Sequence, residues 1–392
     1  MRYDFDQLPD RRATECNKWH HYPEDVLPMW VADMDFVSPE PVVQALLRRV
    51  EHGVFGYPNG LHGESTSMHP IRLAVVGWLE KHFNWQIEPE HLVFIPGVVT
   101  GFNLACHTLE APREGVLIQT PVYEPILKAA RQTGKIDQQA PLARSVEGVY
   151  SVDWDSLTAS FNEQSGMLLL CNPHNPVGRV FNRVELERLA DLCLRHEVLI
   201  CSDEIHSDLV YPETQHIPIA SLDPEIARHT ITLMAPSKTF NLAGLKFSYA
   251  IIQNPELRKK YWQANKGLVG WINVLAQVAA QAAYEGGQEW LSQLLVYLQA
   301  NRDYLSDFVL HELPGISMVS PEGTYLAWLD CREAGLDDPY QFFLENARVA
   351  LNDGVTFGYG GQGFVRLNFG CPRSILVEAL QRMRRALVER KG

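Results

Sequence analysis

Short apolar runs alternate along the first two-thirds of the chain with segments whose apolar residues recur at helical spacing. The apolar runs predict buried strands over residues 92–97, 115–120, 167–172, 198–203, 230–235 and 247–252. The amphipathic segments predict helices over residues 41–51, 71–83 and 183–197, and two more that begin at Val98 and Tyr123. Strands that are apolar throughout and alternate with helices are typical of a parallel sheet buried on both faces. We therefore predict an α/β fold with a mostly parallel sheet between helices.

The last third of the chain follows a different pattern, in which a long amphipathic helix precedes a mixture of strands and helices. We expect that helix over residues 290–310, strands over 324–330 and 364–370, helices over 340–347 and 375–389, and a glycine-rich turn over 354–363. This pattern favours a smaller α+β domain, and 392 residues exceed what one hydrophobic core usually holds. We predict a large domain over residues 50–285 and a small domain formed by residues 1–49 and 286–392. The apolar stretch 268–284 is expected to form a buried helix.

Composition and charge disfavour several classes of function. The net charge of −13 opposes binding to nucleic acid or to anionic membranes, because like charges repel. No apolar run reaches the about 18 residues of a membrane span, and the first residues lack the apolar core of a signal peptide. The seven cysteines are odd in number and show no metal-ligand spacing, which fits a reducing compartment. We expect a cytoplasmic protein with no nucleic-acid or membrane partner.

Polar residues follow the carboxyl ends of the predicted strands, where open α/β sheets bind their ligands. Lys238 comes soon after one strand, and burial there lowers the pKa of a lysine and frees its amine as a nucleophile. Asp203 ends another strand, and a carboxylate in apolar surroundings needs a partner. Gly97 precedes a helix that begins with Val98 and Val99, whose free N–H groups offer a phosphate site. We expect these groups to meet at one edge of the sheet.

Four further residues complete this candidate site. Ser237 and Lys246 are candidates for additional phosphate contacts, and Tyr123 offers a ring that can stack on a planar ligand. Asn175 lies in CNPHNPVG between two prolines, which fix the backbone around its amide. Lysine, carboxylate, phosphate cradle, stacking ring and amide donor together indicate a site for pyridoxal 5'-phosphate. The two aspartates of VADMDF are interpreted as turn and capping groups rather than as an acid pair.

Four motifs carry a resemblance to a known family. CNPHNPVG, CSDEIHSDLVY, APSKTFNLAGLK and GFVRLNFGCPR resemble, in this order, the class I and II aminotransferases of the fold-type I pyridoxal-phosphate family. With VADMDF and VFGY, the chain resembles the cystathionine β-lyase (carbon–sulfur lyase) subgroup of the MalY/PatB type. The resemblance covers nearly the whole chain. It implies the aminotransferase fold-type I architecture, pyridoxal phosphate as cofactor, and β-elimination of cystathionine or cysteine conjugates to a thiol, pyruvate and ammonia.

The resemblance also assigns roles to individual residues. Lys238 matches the lysine that holds the cofactor covalently and serves as general base, and Asp203 matches the carboxylate that pairs with the pyridine nitrogen. Asn175, which also borders the substrate, matches the donor to the phenolic oxygen of the cofactor, and Tyr123 matches the stacking ring. Arg366 matches the arginine that binds the substrate carboxylate, a bidentate contact that suits arginine better than lysine.

One match concerns a second subunit, and three positions depart from the family pattern. Tyr57 matches a tyrosine that reaches the cofactor phosphate and the substrate in the neighbouring subunit, which implies a homodimer with shared active sites.

Ala235 stands where many relatives have serine, and Lys246 where many have arginine. His206 stands where classical aspartate aminotransferases have tyrosine. We retain Lys246 and His206 as cofactor-contact candidates and expect their contacts to differ from those of the relatives.

Two other functions remain compatible with the sequence. Transamination of an aromatic or other amino acid uses the same groups when the substrate has no leaving group on its β carbon. A regulatory protein that binds pyridoxal phosphate is the more distant alternative, and a large exposed apolar patch would support it.

Overall fold

The computed structural model describes residues 3–58 and 69–390. Within these ranges the helices are α1 Asn17–His20, α2 Glu40–Glu51, α3 Pro70–Phe83, α4 Val98–His107, α5 Glu124–Gln132, α6 Trp154–Ser160, α7 Arg183–Arg195, α8 Pro224–Arg228, α9 Pro236–Thr239, α10 Pro255–Asn265, α11 Val274–Gly286, α12 Gln288–Glu312, α13 Pro339–Phe342 and α14 Arg373–Glu389. The strands are β1 Leu27–Pro28, β2 Leu92–Ile95, β3 Gly115–Ile118, β4 Ile136–Gln139, β5 Ala143–Arg144, β6 Tyr150–Ser151, β7 Ser165–Cys171, β8 Leu199–Asp203, β9 Thr230–Met234, β10 Ser248–Ile251, β11 Ser317–Met318, β12 Leu326–Asp330, β13 Val349–Ala350, β14 Asn352–Asp353 and β15 Phe364–Asn368.

A seven-stranded sheet in the order β2-β10-β9-β8-β7-β3-β4 forms the centre of the molecule. Strands β4, β3, β7, β8 and β9 are parallel, and β10 is antiparallel to both of its neighbours. Alternate residues of β7 enter different core clusters. Met167 and Leu169 pack with α4 and α5, whereas Leu168 and Leu170 pack with α6 and α7. This alternation follows from the two-residue period of a strand, and it confirms the predicted α/β fold with helices on both faces.

A second sheet lies in the C-terminal part of the chain. Strands β11, β12, β15 and β14 form it in this order, and all of its pairs are antiparallel. Apolar residues of α12 and α14 cover it in a common core cluster. Leu27 of β1 pairs with Val349 of β13, so the N-terminal residues join this part of the molecule. The boundaries at residues 50 and 285 stay a prediction.

The stretch 268–284 does not form the continuous buried helix that its composition predicts. Helix α11 begins only at Val274, because Asn273 caps it by accepting a hydrogen bond from the backbone N–H of Ala276 at 2.8 Å. In the preceding segment the side chains of Leu268 and Trp271 are 68% and 56% exposed. The prediction was therefore wrong for the first residues of this stretch and right for the rest.

The aspartates of VADMDF form ion pairs rather than turn caps. Arg11 contacts Asp33 and Asp35 at 2.7 Å each. Asp35 is fully buried and also pairs with the buried Lys18 at 2.6 Å, while Trp19 Nε1 donates to its Oδ1 at 2.8 Å. A buried carboxylate of this kind needs such compensation. The cluster holds residues 11–19 against residues 33–35.

Candidate functional site

A cavity of about 340 Å³ opens at the carboxyl ends of the parallel strands. Nine of the predicted site residues line it: Val98, Val99, Tyr123, Asn175, Asp203, His206, Ser237, Lys238 and Lys246. A larger depression of about 1010 Å³ beside α10 contains none of them, so volume alone does not identify the site. In residues 3–58 and 69–390, no group of histidine, cysteine and carboxylate side chains could hold a metal ion. No helix of the described ranges is long and apolar enough to cross a membrane.

Lys238 lies on the short helix α9, directly after β9. Its Nζ donates a hydrogen bond to the carbonyl oxygen of Ala32 at 2.5 Å. Burial lowers the pKa of Lys238 to about 8, while the negative charges of Asp33 and Asp203 oppose this shift. A large fraction of the amine is therefore neutral in mildly alkaline solution and available as a nucleophile or base.

Asp203 is the last residue of β8 and is buried in the cavity wall. Its Oδ1 accepts a hydrogen bond from the backbone N–H of Ile205 at 3.2 Å, and the described part of the chain offers it no ion pair. Burial raises the pKa of Asp203 to about 7, although the Ile205 N–H and the Lys238 charge act in the opposite direction. A cation placed against Asp203 would restore its ionised form.

Arg366 carries a buried positive charge without a carboxylate partner among the described residues. On β15 it is 3% exposed, and its Nη1 and Nη2 donate to Asn175 Oδ1 at 2.8 Å and Asn352 Oδ1 at 2.5 Å. Its Nε is buried and finds no acceptor in residues 3–58 and 69–390. Burial lowers the pKa of Arg366 to about 10, so the guanidinium is charged near neutral pH. An anionic ligand would compensate this charge.

The N-terminus of α4 borders the same cavity. Gly97 adopts a φ of 116°, a conformation that favours glycine, and donates its N–H to Ser248 Oγ at 2.9 Å. No side chain caps this helix and its first turn contains no acidic residue. The N–H groups of Val98 and Val99 belong to the first turn, which lacks intrahelical acceptors. Ser237 and the exposed Lys246 line the same cavity, and a hydroxyl, a cation and free helix N–H groups suit a phosphate.

Tyr123 and His206 add predicted aromatic rings to the cavity lining. Tyr123 precedes α5 and donates its backbone N–H to the carbonyl of Asn175 at 3.1 Å. Burial raises the pKa of the Tyr123 hydroxyl, which keeps it protonated. His206 lies edge-on to Tyr325 with ring centroids 6.0 Å apart, and its buried Nδ1 has no hydrogen-bond partner in the described part of the chain. Burial, with the positive charges of Lys238 and Arg366, holds the pKa of His206 well below its usual range. The ring is therefore neutral.

Tyr57 and Arg366 are the two predicted site residues that do not line this cavity. Arg366 bonds Asn175, which does line it. The Tyr57 side chain is 92% exposed, and its ring meets that of Trp271 edge-on with centroids 5.5 Å apart. Within its own chain Tyr57 does not join the other candidates. Its predicted contact with a neighbouring subunit stays a prediction.

Backbone carbonyls that no sequence pattern predicts cover the site. Residues 30–36, which we call the N-terminal strap, cross above Lys238 and Arg366. The carbonyl of Trp30 accepts from Arg366 Nη2 at 3.1 Å, and that of Ala32 accepts from Tyr325 Oη at 3.1 Å as well as from Lys238. Carbonyl groups belong to every residue type, so no sequence pattern singles them out. Asn241 is a further residue that we did not predict, although it lies in the motif APSKTFNLAGLK. Its amide donates to the strap carbonyls of Met34 and Phe36.

The donor set of the cavity fits pyridoxal phosphate. An amine of lowered pKa lies near a buried carboxylate without a counter-ion, an uncapped helix start and a tyrosine ring. These groups match the aldehyde, the pyridine nitrogen, the phosphate and the ring face of that molecule. Lys238, Asp203, Val98, Val99 and Tyr123 are the residues that could hold it.

Comparison with known proteins places the chain in a family. The family model described as aminotransferase class I and II matches residues 35–383. Cystathionine beta-lyase PatB of Bacillus subtilis is 39% identical over 98% of this chain and 100% of its own length. Protein MalY of Escherichia coli is 36% identical over 95% of this chain and 96% of its own. The structure of the PLP-bound C-S lyase from Staphylococcus hominis has a TM-score of 0.91 and 36% identity, covering 99% of each chain. The chain belongs to the class I and II aminotransferase family.

Proposed function

We propose that this chain is a pyridoxal-phosphate-dependent carbon–sulfur lyase. It β-eliminates sulfur amino acids such as cystathionine or cysteine conjugates to a thiol, pyruvate and ammonia. The observation that carries the proposal is the 39% identity to a cystathionine β-lyase over 98% of the chain. The geometry of the cavity adds a chemical reason, because Lys238 and Asp203 offer it a base and an anion, and Arg366 adds a cation that bonds Asn175 of the lining.

Side chains and backbone N–H groups that line the cavity are proposed to hold the cofactor. Asp203 pairs with the ring nitrogen, and Tyr123 covers the ring face. The first N–H groups of α4 bind the phosphate, with Ser237 and Lys246 beside them. Asn175 donates its amide to the phenolic oxygen, because its Oδ1 already accepts from Arg366 at 2.8 Å. His206, neutral and buried, is proposed as a neighbour of the cofactor rather than as an acid or base. When bound, pyridoxal phosphate supplies the electron sink that the reaction requires.

The residues of the chain divide the remaining work between orientation and proton transfer. Arg366 binds the α-carboxylate of the amino acid and is itself held by Asn175 and Asn352. The neutral amine of Lys238 accepts the α proton, since its pKa of about 8 suits a general base near neutral pH. Electrons left at the α carbon expel a thiolate from the β carbon. A substrate without such a leaving group would undergo transamination instead.

We also propose a homodimer whose subunits share their active sites. Tyr57, Leu268 and Trp271 are exposed on this chain, and Tyr57 has no role in its own cavity. Apolar side chains with this exposure are suited to an interface between copies. A large domain over residues 50–285 would hold the cofactor, since all strands of the seven-stranded sheet fall within it. The proposed location is the cytoplasm, which agrees with seven free cysteines.

The direct test is to incubate the purified, cofactor-loaded protein with L-cystathionine in the absence of a 2-oxo acid. Pyruvate and free thiol should appear in equal amounts. The Lys238→Ala variant should lose about 10³-fold or more of the turnover, since it lacks the general base. Lys128→Ala removes an exposed lysine of α5 and should behave like the wild type. Amino-acid turnover that requires a 2-oxo acid would instead identify an aminotransferase.

A further inference from the structure

A partly buried hydrogen bond joins Asp208 to Thr239, the residue that follows Lys238. Thr239 Oγ1 donates to Asp208 Oδ2 at 2.7 Å, and Trp78 Nε1 donates to Asp208 Oδ1 at 2.9 Å. Thr239 is completely buried and Trp78 nearly so. None of the three lines the cavity, and the function proposed above assigns them no task.

The helix that carries Lys238 depends on such a contact. Helix α9 has four residues and is closed by the bond from Phe240 N–H to the carbonyl of Pro236 at 2.9 Å. A helix of this length has no stability of its own in water, so contacts with the rest of the molecule must fix its orientation. Its buried side chains are those of Pro236 and Thr239, and of these two only Thr239 can form a hydrogen bond.

Asp208 belongs to the segment that continues from Asp203. Leu209 N–H donates to the carbonyl of His206 at 2.9 Å, which closes a turn that contains Asp208. The backbone N–H of Glu204 donates to the carbonyl of Leu233 of β9 at 2.9 Å. The Glu204 carboxylate contacts His216 Nε2 at 2.8 Å. This segment is therefore anchored at several points. The bond between Asp208 and Thr239 connects it with the helix of Lys238.

We propose that Asp208 and Thr239 form a positioning pair that sets the place of the Lys238 amine relative to Asp203. The inference rests on the proposed function, because it assumes that Lys238 and Asp203 act on the same cofactor. Neither member of the pair touches the reacting atoms. The pair acts through the orientation of α9, and a small displacement of a catalytic group can lower a rate by a large factor.

The test compares Thr239→Val, which removes the hydroxyl at nearly constant volume, with Thr239→Ser, which retains it. In the cofactor-loaded enzyme, kcat for L-cystathionine should fall about tenfold in Thr239→Val with KM changed less than about twofold. Thr239→Ser should stay within about twofold of the wild type. Thr230→Val is the matched control, because Thr230 is equally buried on β9 and its Oγ1 bonds the Ile226 carbonyl at the same 2.7 Å. That control should leave kcat unchanged.

A second readout does not depend on turnover. Pyridoxal phosphate is added to each apoprotein, and its covalent capture by Lys238 is followed by visible absorption. The rate constant for capture should fall about tenfold in Thr239→Val and should be normal in Thr239→Ser and Thr230→Val. Thermal unfolding of the same apoproteins measures the cost of losing the threonine hydrogen bond, which the two valine variants should share.

Wild-type rates of capture and turnover in a folded Thr239→Val protein would overturn the proposal. So would an equal loss of both rates in Thr230→Val, which would indicate a general effect of stability. If Thr239→Val does not fold, the comparison of Thr239→Ala with Thr239→Ser decides the same question. If the wild type captures the cofactor but forms no pyruvate, the proposed function fails while the capture rates still test the positioning pair.

Discussion

Two buried charges of opposite sign give the candidate site its chemistry. Neither Asp203 nor Arg366 forms an ion pair among the residues that the structure describes. Buried charges without a partner destabilise a fold, so their retention requires a compensating gain. A ligand with a cationic ring nitrogen and an amino-acid carboxylate would satisfy both. The residue-scale predictions concern these two side chains.

Arg366→Lys should weaken substrate binding without removing the charge. Lysine cannot reproduce the fork that Arg366 forms with Asn175 and Asn352, so KM for L-cystathionine should rise between about tenfold and a hundredfold. Steady-state kinetics of the cofactor-loaded enzyme measure this. The matched control is Arg332→Lys. Arg366 and Arg332 each lie over an aromatic ring, but Arg332 is half exposed. An unchanged KM in Arg366→Lys would argue against the carboxylate contact.

Asp203→Asn should stabilise the apoprotein above neutral pH. The carboxyl ionises near 3.8 in the unfolded chain and near 7 in the folded one, so the folded state holds the extra proton between these values. Stability of the wild type therefore falls as the pH rises from about 4 to 7, and the asparagine variant escapes this loss. The gap in unfolding free energy at pH 8 should reach about 4 kcal/mol at most, since one pKa unit corresponds to about 1.4 kcal/mol.

Urea unfolding at pH 5, 6, 7 and 8 measures this gap. Asp191→Asn alters an exposed ion pair and should show no comparable pH-dependent gain. Loading with pyridoxal phosphate should reverse the order, because the wild-type carboxylate then has a cationic partner. Equal stabilities of the two apoproteins at pH 8 would contradict the account of Asp203.

At the scale of single elements, the first turn of α4 differs from that of the helices that an asparagine caps. Asparagine side chains cap the helices α7, α10 and α11 by accepting backbone N–H bonds. At the corresponding place in α4 stands Gly97, which has no side chain to offer. The uncapped N–H groups and the helix dipole are therefore available to an anion in the cavity.

Val99→Glu should weaken cofactor binding. A carboxylate in the first turn of α4 competes with the phosphate for the same N–H groups and repels it, so the dissociation constant should rise roughly tenfold. Val184 offers a matched control, since it is also exposed and also the second residue of a helix, α7. Equilibrium titration of both apoproteins with pyridoxal phosphate gives the two constants. An equal affinity in both variants would exclude the phosphate site at α4.

The apolar runs predicted the central strands of the sheet to within a few residues, because each strand is buried on both faces. Strand β4 was missed, since its sequence IDQQ lies at the sheet edge and contains one apolar residue. The apolar composition of residues 268–273 predicts a helix, but α11 begins only at Val274. Its exposed Leu268 and Trp271 show that apolar residues do not always enter the core of their own chain.

At the scale of the whole molecule, the site combines distant parts of the chain. Ala32 of the strap and the sheet ends up to Lys246 line one cavity, and Arg366 on β15 bonds Asn175 of its lining and the strap carbonyl of Trp30. The sequence predicted most of the side chains through the strand-end rule and the family resemblance. It could not predict the strap, whose contacts use backbone carbonyls, or the ion pairs of Asp35 with Lys18 and Arg11, which link residues that no pattern relates.

Trp271→Glu should disrupt the proposed homodimer. Trp271 is 56% exposed beside Tyr57, and a charge at a buried interface costs several kcal/mol when it has no partner. Sedimentation velocity at micromolar concentration should show a dimer for the wild type and a monomer for the variant, which should also lose cofactor. Val296→Glu, at an exposed position of α12, should remain dimeric. A monomeric wild type would refute the shared-site proposal.

The number of pyruvate molecules formed per active site from L-cystathionine, without any 2-oxo acid, tests the central claim most directly. β-Elimination returns the enzyme to its starting state after each cycle, whereas transamination leaves the amino group on the enzyme and stops. The account predicts many turnovers per site, with a thiol released for each pyruvate. The absence of pyruvate and thiol, with one cystathionine converted per site to its own 2-oxo acid and further conversion only after another 2-oxo acid is added, would contradict it.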